Sequence, residues 1–341
     1  MSTTSPGAVS RRTLLLRGAC AAIALPMAAG RLHAQSKLTR VVYQTGWLPQ
    51  PDKGGLYQAQ AAGLYAKHGL EVELRPGGPQ LNTMQIFLAG QADFVDSDSM
   101  RVLHFVKEKL PGVAVAAFGQ KPLNVLLSHP GVGNDTLAAL KDKPLLVSTA
   151  GRQTYFQWLK ARFGFADGQA RPYTYSMAPF LVDKAVSMEG FVTSEPFEAR
   201  RAGVQPVVHF LADHGYENYS NVMLASRAMV AERPEVVQRF VDATIQGWHG
   251  YLYGDPTPGY DAIRRGNPDM SEEKIAYARD QLKQRAIFES AEVQRGGIGA
   301  MSDERWKAIY DGMAGAGAVA PGLDVRQGYT LQFVNKRVGA A

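Results

Sequence analysis

Between residues 41 and 95 the hydrophobic period switches repeatedly between two and about 3.6, and this alternation constrains the fold more than any other feature of the chain. Val41-Val42-Tyr43 reads as a strand, and a loop rich in glycine and proline follows it. A helix is predicted over 56–68, with Leu56, Ala59, Gly63 and Ala66 at spacings of three and four and Gly69 as its left-handed stop. Leu70, Val72 and Leu74 then alternate with Glu71 and Glu73, the pattern of a strand with one wet face. After Pro76-Gly77-Gly78-Pro79 come a helix over 81–89, a strand over 92–95, a loop at 96–99 and a further helix. Strand, helix, strand in immediate succession predicts a layered α/β fold with parallel strands.

The same grammar recurs downstream. Strands are expected over 113–118 and 123–128, a helix from Thr136, a strand over 145–149, an aromatic helix over 155–163 and a strand over 188–193. Glu195-Pro196 opens a helix, with proline in the first turn. From about Ala225 long helical periodicities take over, as in Val236, Phe240, Ala243 and Ile245. The expected organisation is two α/β lobes: 35–123 plus 223–341 form the first, its C-terminal helices packed on it, and 124–222 form the second. No flexible linker or internal short repeat interrupts them.

Charge looks informative until it is located. The chain has 341 residues and a formal charge of +6. Residues 1–34, however, hold Arg11, Arg12, Arg17 and Arg31 and no acid, which leaves 33 basic against 31 acidic residues elsewhere. A nucleic-acid partner is therefore not expected. Ser10-Arg11-Arg12-Thr13-Leu14-Leu15, a moderately apolar stretch and a small residue at Ala34 read as a cleavable twin-arginine export signal covering 1–34. Arg17 stands where a lipobox before Cys20 needs an aliphatic residue, so a lipoprotein is not expected. Cys20 is the one cysteine and lies inside that segment, so thiol nucleophiles, cysteine metal sites and disulfides are not expected of the exported chain. The histidines show no metal-ligand spacing and no serine lies in a nucleophile elbow, so neither a metal, a cofactor nor a catalytic residue is assigned.

In open α/β sheets ligands lie beyond the carboxyl ends of the strands. The loops at 47–55, 77–82, 96–99, 119–124 and 149–153, with the segment 189–195, are then the ligand-facing ones. They supply one large aromatic, small residues, amides, hydroxyls and carboxylates, a chemistry suited to a flat polar molecule without negative charge. Several features also have plain structural readings. Asp96 and Asp98 either face the cleft or cap the next helix; Arg152 binds either an anionic substituent or a neighbouring carboxylate; Glu195 is either a ligand contact or a first-turn acid favoured by the helix dipole.

Gly46-Trp47-Leu48-Pro49, Gly54-Gly55-Leu56-Tyr57-Gln58-Ala59, Gly63-Leu64-Tyr65-Ala66-Lys67-His68-Gly69-Leu70-Glu71-Val72 and Gly90-Gln91-Ala92-Asp93-Phe94 resemble the opening of the bacterial thiamine-pyrimidine-precursor binding proteins. These sit within the nitrate/sulfonate/taurine group of ABC-transporter substrate-binding proteins. The resemblance is specific over 43–94 and looser through Thr193-Ser194-Glu195-Pro196-Phe197. It implies a type II periplasmic-binding-protein fold, two lobes joined by a two-crossing hinge, a periplasmic location, and delivery of a small-molecule ligand to an inner-membrane ABC permease with its ATPase. The twin-arginine translocase would be the partner during export.

On this resemblance Trp47 would stack on a flat heterocycle, Asn124 at the crossing would hydrogen-bond it, and Glu195 would accept a ring amino group. The loop with Thr149, Gly151, Arg152 and Gln153 would hold a substituent, and Gly55, Tyr57, Asn82, Asp96, Ser97 and Glu189 complete the expected set. The chain departs from the family pattern at Gly77-Gly78-Pro79-Gln80-Leu81-Asn82 and at Asp96-Ser97-Asp98. A receptor for a sulfonate, taurine or nitrate is the alternative within the fold, and a periplasmic hydrolase or lyase the alternative outside it. A eukaryotic branch of the family makes the pyrimidine from its own histidine with a cysteine-rich stretch, which this chain lacks.

Overall fold

A computed structural model describes residues 38–79 and 81–339. The predicted export signal, 1–34, lies outside the described residues, and no helix among the described residues is long and apolar enough to cross a membrane.

Two five-stranded sheets organise the chain. The strands are β1 Thr39–Gln44, β2 Leu70–Arg75, β3 Phe94–Ser97, β4 Gly112–Gly119, β5 Asn124–Ser128, β6 Leu145–Val147, β7 Ala170–Pro172, β8 Ser187–Phe191, β9 Val207–Phe210 and β10 Ser220–Ser226. The first sheet runs β2-β1-β3-β10-β4 and the second β7-β6-β8-β5-β9. Two passages join them: 120–123 leads from β4 into β5, and 211–219 returns from β9 to β10. In each sheet the neighbours linked by helical crossovers are parallel, as with Tyr43 opposite Phe94 and Leu146 opposite Met188. β10 is antiparallel to β3 and β4, and β5 to β8 and β9, so both sheets are mixed rather than parallel throughout. These two strands enter directly from the other lobe, and such a direct entry imposes no parallel order.

The helices are α1 Gly54–Ala61, α2 Leu64–Lys67, α3 Thr83–Leu88, α4 Ser99–Lys107, α5 Thr149–Gln153, α6 Tyr155–Phe163, α7 Ala178–Val182, α8 Glu195–Arg201, α9 Arg227–Glu232, α10 Pro234–Tyr253, α11 Thr257–Gly266, α12 Glu272–Gln284, α13 Ala291–Gly296 and α14 Asp303–Gly315. The helix predicted over 56–68 is two helices, because Gly63 takes φ +67 and breaks the ladder. The strand expected over 145–149 ends at Val147, since Ser148 caps α5 by accepting the Gly151 N–H at 3.0 Å. The helix expected from Thr136 is only a 3₁₀ turn at Ala138–Leu140, and Asp96 and Ser97 belong to β3 rather than to a loop.

α10 buries Val236, Val237, Phe240, Val241, Ile245, Trp248 and Leu252. It packs on α1 where glycines meet: a Cβ on Gly247 would lie 2.2 Å from the Gly55 carbonyl oxygen. In the second sheet β5 places Val125 and Leu127 in the larger core, shared with the first lobe, and Leu126 in a second cluster with Leu145, Val147, Phe156 and Leu159. Met100 and Leu103 of α4 and Met313 of α14 join that second cluster, so helices of the first lobe touch the second lobe there.

Candidate functional site

A cleft of about 1820 Å³ lies between the lobes, lined by both sheets' strand ends and by the helices that follow them. Its first wall starts from the turn after β1. Thr45 Oγ1 donates to the Trp47 carbonyl at 2.7 Å and the Gly77 N–H donates to the same oxygen at 2.9 Å. A Cβ on Gly77 would stand 2.4 Å from the Gly46 carbonyl carbon, so this contact requires glycine. The result is a fixed loop that holds the half-buried Trp47 indole in the cleft.

From the other lobe, the segment after β7 brings Tyr173 and Tyr175. The Tyr175 ring meets Trp47 with centroids 4.8 Å apart at 47°, and Tyr173 meets Tyr175 at 5.4 Å. Tyr175 is 50% exposed and sits at φ +62. An aromatic seam therefore closes across the two lobes, with tilted faces in the geometry such rings favour.

The same side of the second lobe carries two carboxyl groups. Glu189 of β8 accepts a hydrogen bond from the Tyr155 hydroxyl, and its burial pushes its carboxyl above the usual carboxylate range. Glu195, at the first position of α8, accepts the Phe191 N–H on Oε2 at 2.7 Å, and burial pushes its pKa up to about 7. Asn124, half-buried at the start of β5, stands opposite Phe191 in the ladder and lines the cleft beside them.

The floor is a buried charge network. Lys53 Nζ lies 2.9 Å from Asp96 Oδ1 and 3.5 Å from Asp52 Oδ2, and it donates to Asn221 Oδ1. Asn221 in turn donates to the Asp52 carbonyl at 2.8 Å. Burial opposes the charge on Lys53, but Asp96 and Asp52 outweigh it and raise the ammonium's pKa; burial likewise raises Asp52. At the rim, Lys274 Nζ of α12 pairs with Glu198 Oε1 of α8 at 2.6 Å, a bond from one lobe to the other.

Of the residues expected from sequence, Trp47, Asn82, Asp96, Ser97, Asn124, Gly151, Gln153, Glu189 and Glu195 line this one cleft. Asn82 also caps α3, accepting the Gln85 N–H at 3.1 Å, and Asp98 caps α4 by accepting the Arg101 N–H at 3.0 Å. Four expected residues lie elsewhere. Gly55 packs under Trp248, where a Cβ would be 2.2 Å from Cδ2. Tyr57, one turn along α1, is buried in the core. Thr149 is exposed at the start of α5, and the capping Ser148 lines the cleft in its place. Arg152 turns away and donates to the Ala170 carbonyl at 2.8 Å.

Tyr173, Tyr175, Asp52, Lys53, Asn221 and Lys274 are cleft residues that the sequence reading did not single out. Lys53 sits in a loop read as ligand-facing, and only its two carboxylate partners distinguish it from a solvated lysine. β7 is three residues long with a proline, too short to signal the strand that delivers Tyr173 and Tyr175.

This architecture, two mixed sheets with a double crossing and a cleft at the crossing, defines the type II periplasmic-binding-protein fold. The periplasmic aliphatic sulphonate binding protein SsuA from Escherichia coli shares it with a TM-score of 0.63 at 12% identity, over 85% of this chain and 91% of that one. The desulfurization enzyme DSZB shares it with a TM-score of 0.56 at 11% identity, over 86% and 97%. Within the fold, the family model described as NMT1/THI5 like matches residues 50–257, and the chain belongs to that family. The riboflavin-binding protein RibY of Chloroflexus aurantiacus is 24% identical over 335 residues, 94% of this chain and 95% of that protein.

Proposed function

We propose that the chain is the exported substrate-binding component of an ABC importer, and that its cleft holds a planar, nitrogen-bearing heterocycle. The pyrimidine precursor of thiamine is the small member of that ligand class and a flavin ring the large one. One observation carries the reading: aromatic rings from opposite lobes, Trp47 and Tyr175, meet at a seam that also presents the carboxyls of Glu189 and Glu195. A flat ring offers faces to the former and N–H donors to the latter.

Against an oxyanion stand the same carboxyl groups and the pairing of the seam's lysines. Lys53 is held by Asp52 and Asp96 and Lys274 by Glu198, so a sulfonate bound there would displace an existing partner and face uncompensated carboxylates. The printed name of the riboflavin-binding relative agrees with a ring ligand, and the cleft volume exceeds what a single pyrimidine needs. The reading assigns no chemical step to the cleft; the ligand leaves unaltered for an inner-membrane permease and its ATPase. Export through the twin-arginine translocase, with cleavage near Ala34, and a periplasmic location complete the proposal.

A thermal-shift panel tests it. Aminopyrimidines or flavins raise the melting temperature, as a ligand bound only by the folded state must, while taurine and nitrate leave it unchanged. Stabilisation by taurine or nitrate alone reverses the assignment, and recovery of a chemically altered ligand makes the protein a hydrolase or lyase.

A further inference from the structure

We infer that the cleft has a second compartment, along the α4 wall, built for an anionic end group carried on a polar tether from the ring; the inference rests on the ring-binding reading above. Met100, Leu103, His104 and Lys107 recur at i, i+3, i+4 and i+7 and line the cleft together with Arg101. Met100 and Leu103 pack into the second lobe's core, which fixes this face of the helix against the cleft. The side chains left in the open part of that wall are basic. Arg101 is half-buried, its backbone N–H donates to Asp98, and its guanidinium pairs with no carboxylate among the described residues. Lys107 lies 3.1 Å from Glu108, with both side chains about half in solvent, a contact that a stronger anion replaces.

Facing α4 is the stretch of α14 and its following loop that contributes Ala314, Gly317, Ala318, Val319, Ala320 and Pro321. It brings backbone groups and no acidic side chain. Of the cleft's acids, Asp98 caps the first turn of α4, and the others, Asp52, Asp96, Glu189, Glu195, Glu198 and Asp269, stand on other elements. Along one continuous cavity, the seam's lysines Lys53 and Lys274 are already paired with carboxylates, whereas along α4 beyond Asp98 the cleft-lining cations Arg101 and Lys107 meet no cleft-lining acid among the described residues. At 1.5 Å rise per residue, Lys107 lies roughly 13 Å along the helix axis from Asp98. Ser97, Thr154 and Asn218 line the same cleft and offer a hydroxylated tether its hydrogen bonds. A cavity of about 1820 Å³ is well above the several hundred Å³ that commonly holds one ligand, so a ring at the seam leaves this length vacant. The ligand class that fills both ends is a heterocycle joined through a hydroxylated chain to a phosphate or similar anion.

The test compares riboflavin with its 5′-phosphate ester on the full exported chain by calorimetric titration at low salt, with an aminopyrimidine as a third probe. The phosphate ester is expected to bind about tenfold more tightly or better, the gain of charge-assisted hydrogen bonds to guanidinium and ammonium. That ratio shrinks at high salt. In the Arg101→Gln, Lys107→Gln double variant the ratio collapses to within about twofold of one, and an Arg101→Lys variant keeps part of it. Equal or weaker binding of the phosphate ester, or a preference that survives the double variant, overturns the compartment. Binding of the aminopyrimidine with neither flavin form overturns the compartment while leaving the ring reading intact. Failure of all three probes overturns both.

Discussion

On the proposed reading, recognition turns on Trp47 and Glu195. Replacing Trp47 by alanine removes the indole face that the ring would meet, and stacking of this kind is worth about 0.5–1.5 kcal/mol beyond burial. Calorimetric titration of Trp47→Ala with the heterocycle is expected to show a loss of about tenfold or more in affinity, with the fold retained. Undiminished binding would remove Trp47 from the site. Glu195 gives a pH signature. Its carboxyl titrates near 7 in the folded chain, above its ordinary 4.5, because burial penalises the charge. A carboxylate accepts a ring N–H better than the neutral acid, so affinity for an amino-bearing ring rises as pH climbs through about 7, and Glu195→Gln flattens the profile. Stability moves the other way: the folded state holds the proton more tightly than the unfolded one, so Glu195 costs increasing stability as pH rises from about 4.5 to 7. Denaturant titrations of the parent and Glu195→Gln across that range separate the two effects. The cleft position of Trp47 was legible in the sequence because a large aromatic in a Gly/Pro loop after a strand has few uses in a core. Tyr175 was not, since its position depends on a three-residue strand and a positive φ that no local pattern announces.

Among the elements, α1 holds a residue expected at the ligand, Gly55, that the structure places in helix packing instead. The Gly54-Gly55 pair begins a helix and does not line the cleft, and both glycines make room for α10: a Cβ on Gly54 would lie 2.2 Å from Tyr251 Cε1, and one on Gly55 equally close to the Trp248 ring. Gly55→Ala is expected to destabilise the chain by about 1–3 kcal/mol through overpacking, measured by denaturant unfolding, while ring affinity stays within about twofold. A large loss of affinity with unchanged stability would return Gly55 to the site. Strands were the most legible elements, β2 from its alternation of apolar and acidic residues and β4 and β5 as continuous apolar runs between breakers. Boundaries slipped where a side chain decided them: Ser148 ends β6 by capping α5, which moved Thr149 out of the cleft. Arg152 could not be placed from sequence, because its partner is the Ala170 backbone carbonyl, an acceptor every residue carries.

At the scale of the whole molecule, two α/β sheets with chain passages near residues 124 and 222 were legible from the alternation, but their mixed order was not: parallel strands were expected, and β5 and β10 run antiparallel to their neighbours. What sequence did not supply was the set of bonds between the lobes. Lys274 to Glu198, the Tyr277 hydroxyl to the Val192 carbonyl at 3.0 Å, and Trp47 against Tyr175 tie the first lobe to the second. Lys274→Gln removes a charged bond worth about 1.5–3 kcal/mol and leaves Glu198 unpaired. Small-angle scattering is expected to show a larger radius of gyration for this variant without ligand and the parent's value once the cleft is filled. An unchanged radius in the free variant would mean that the pair does not hold the lobes together. The central claim, that the seam grips a flat heterocycle and releases it unaltered, is met most directly by equilibrium binding of riboflavin, an aminopyrimidine and taurine to the purified protein, followed by mass analysis of what is recovered. One ring compound bound per chain and recovered unchanged, with no binding of taurine, is the predicted result; taurine bound with both rings ignored would contradict it.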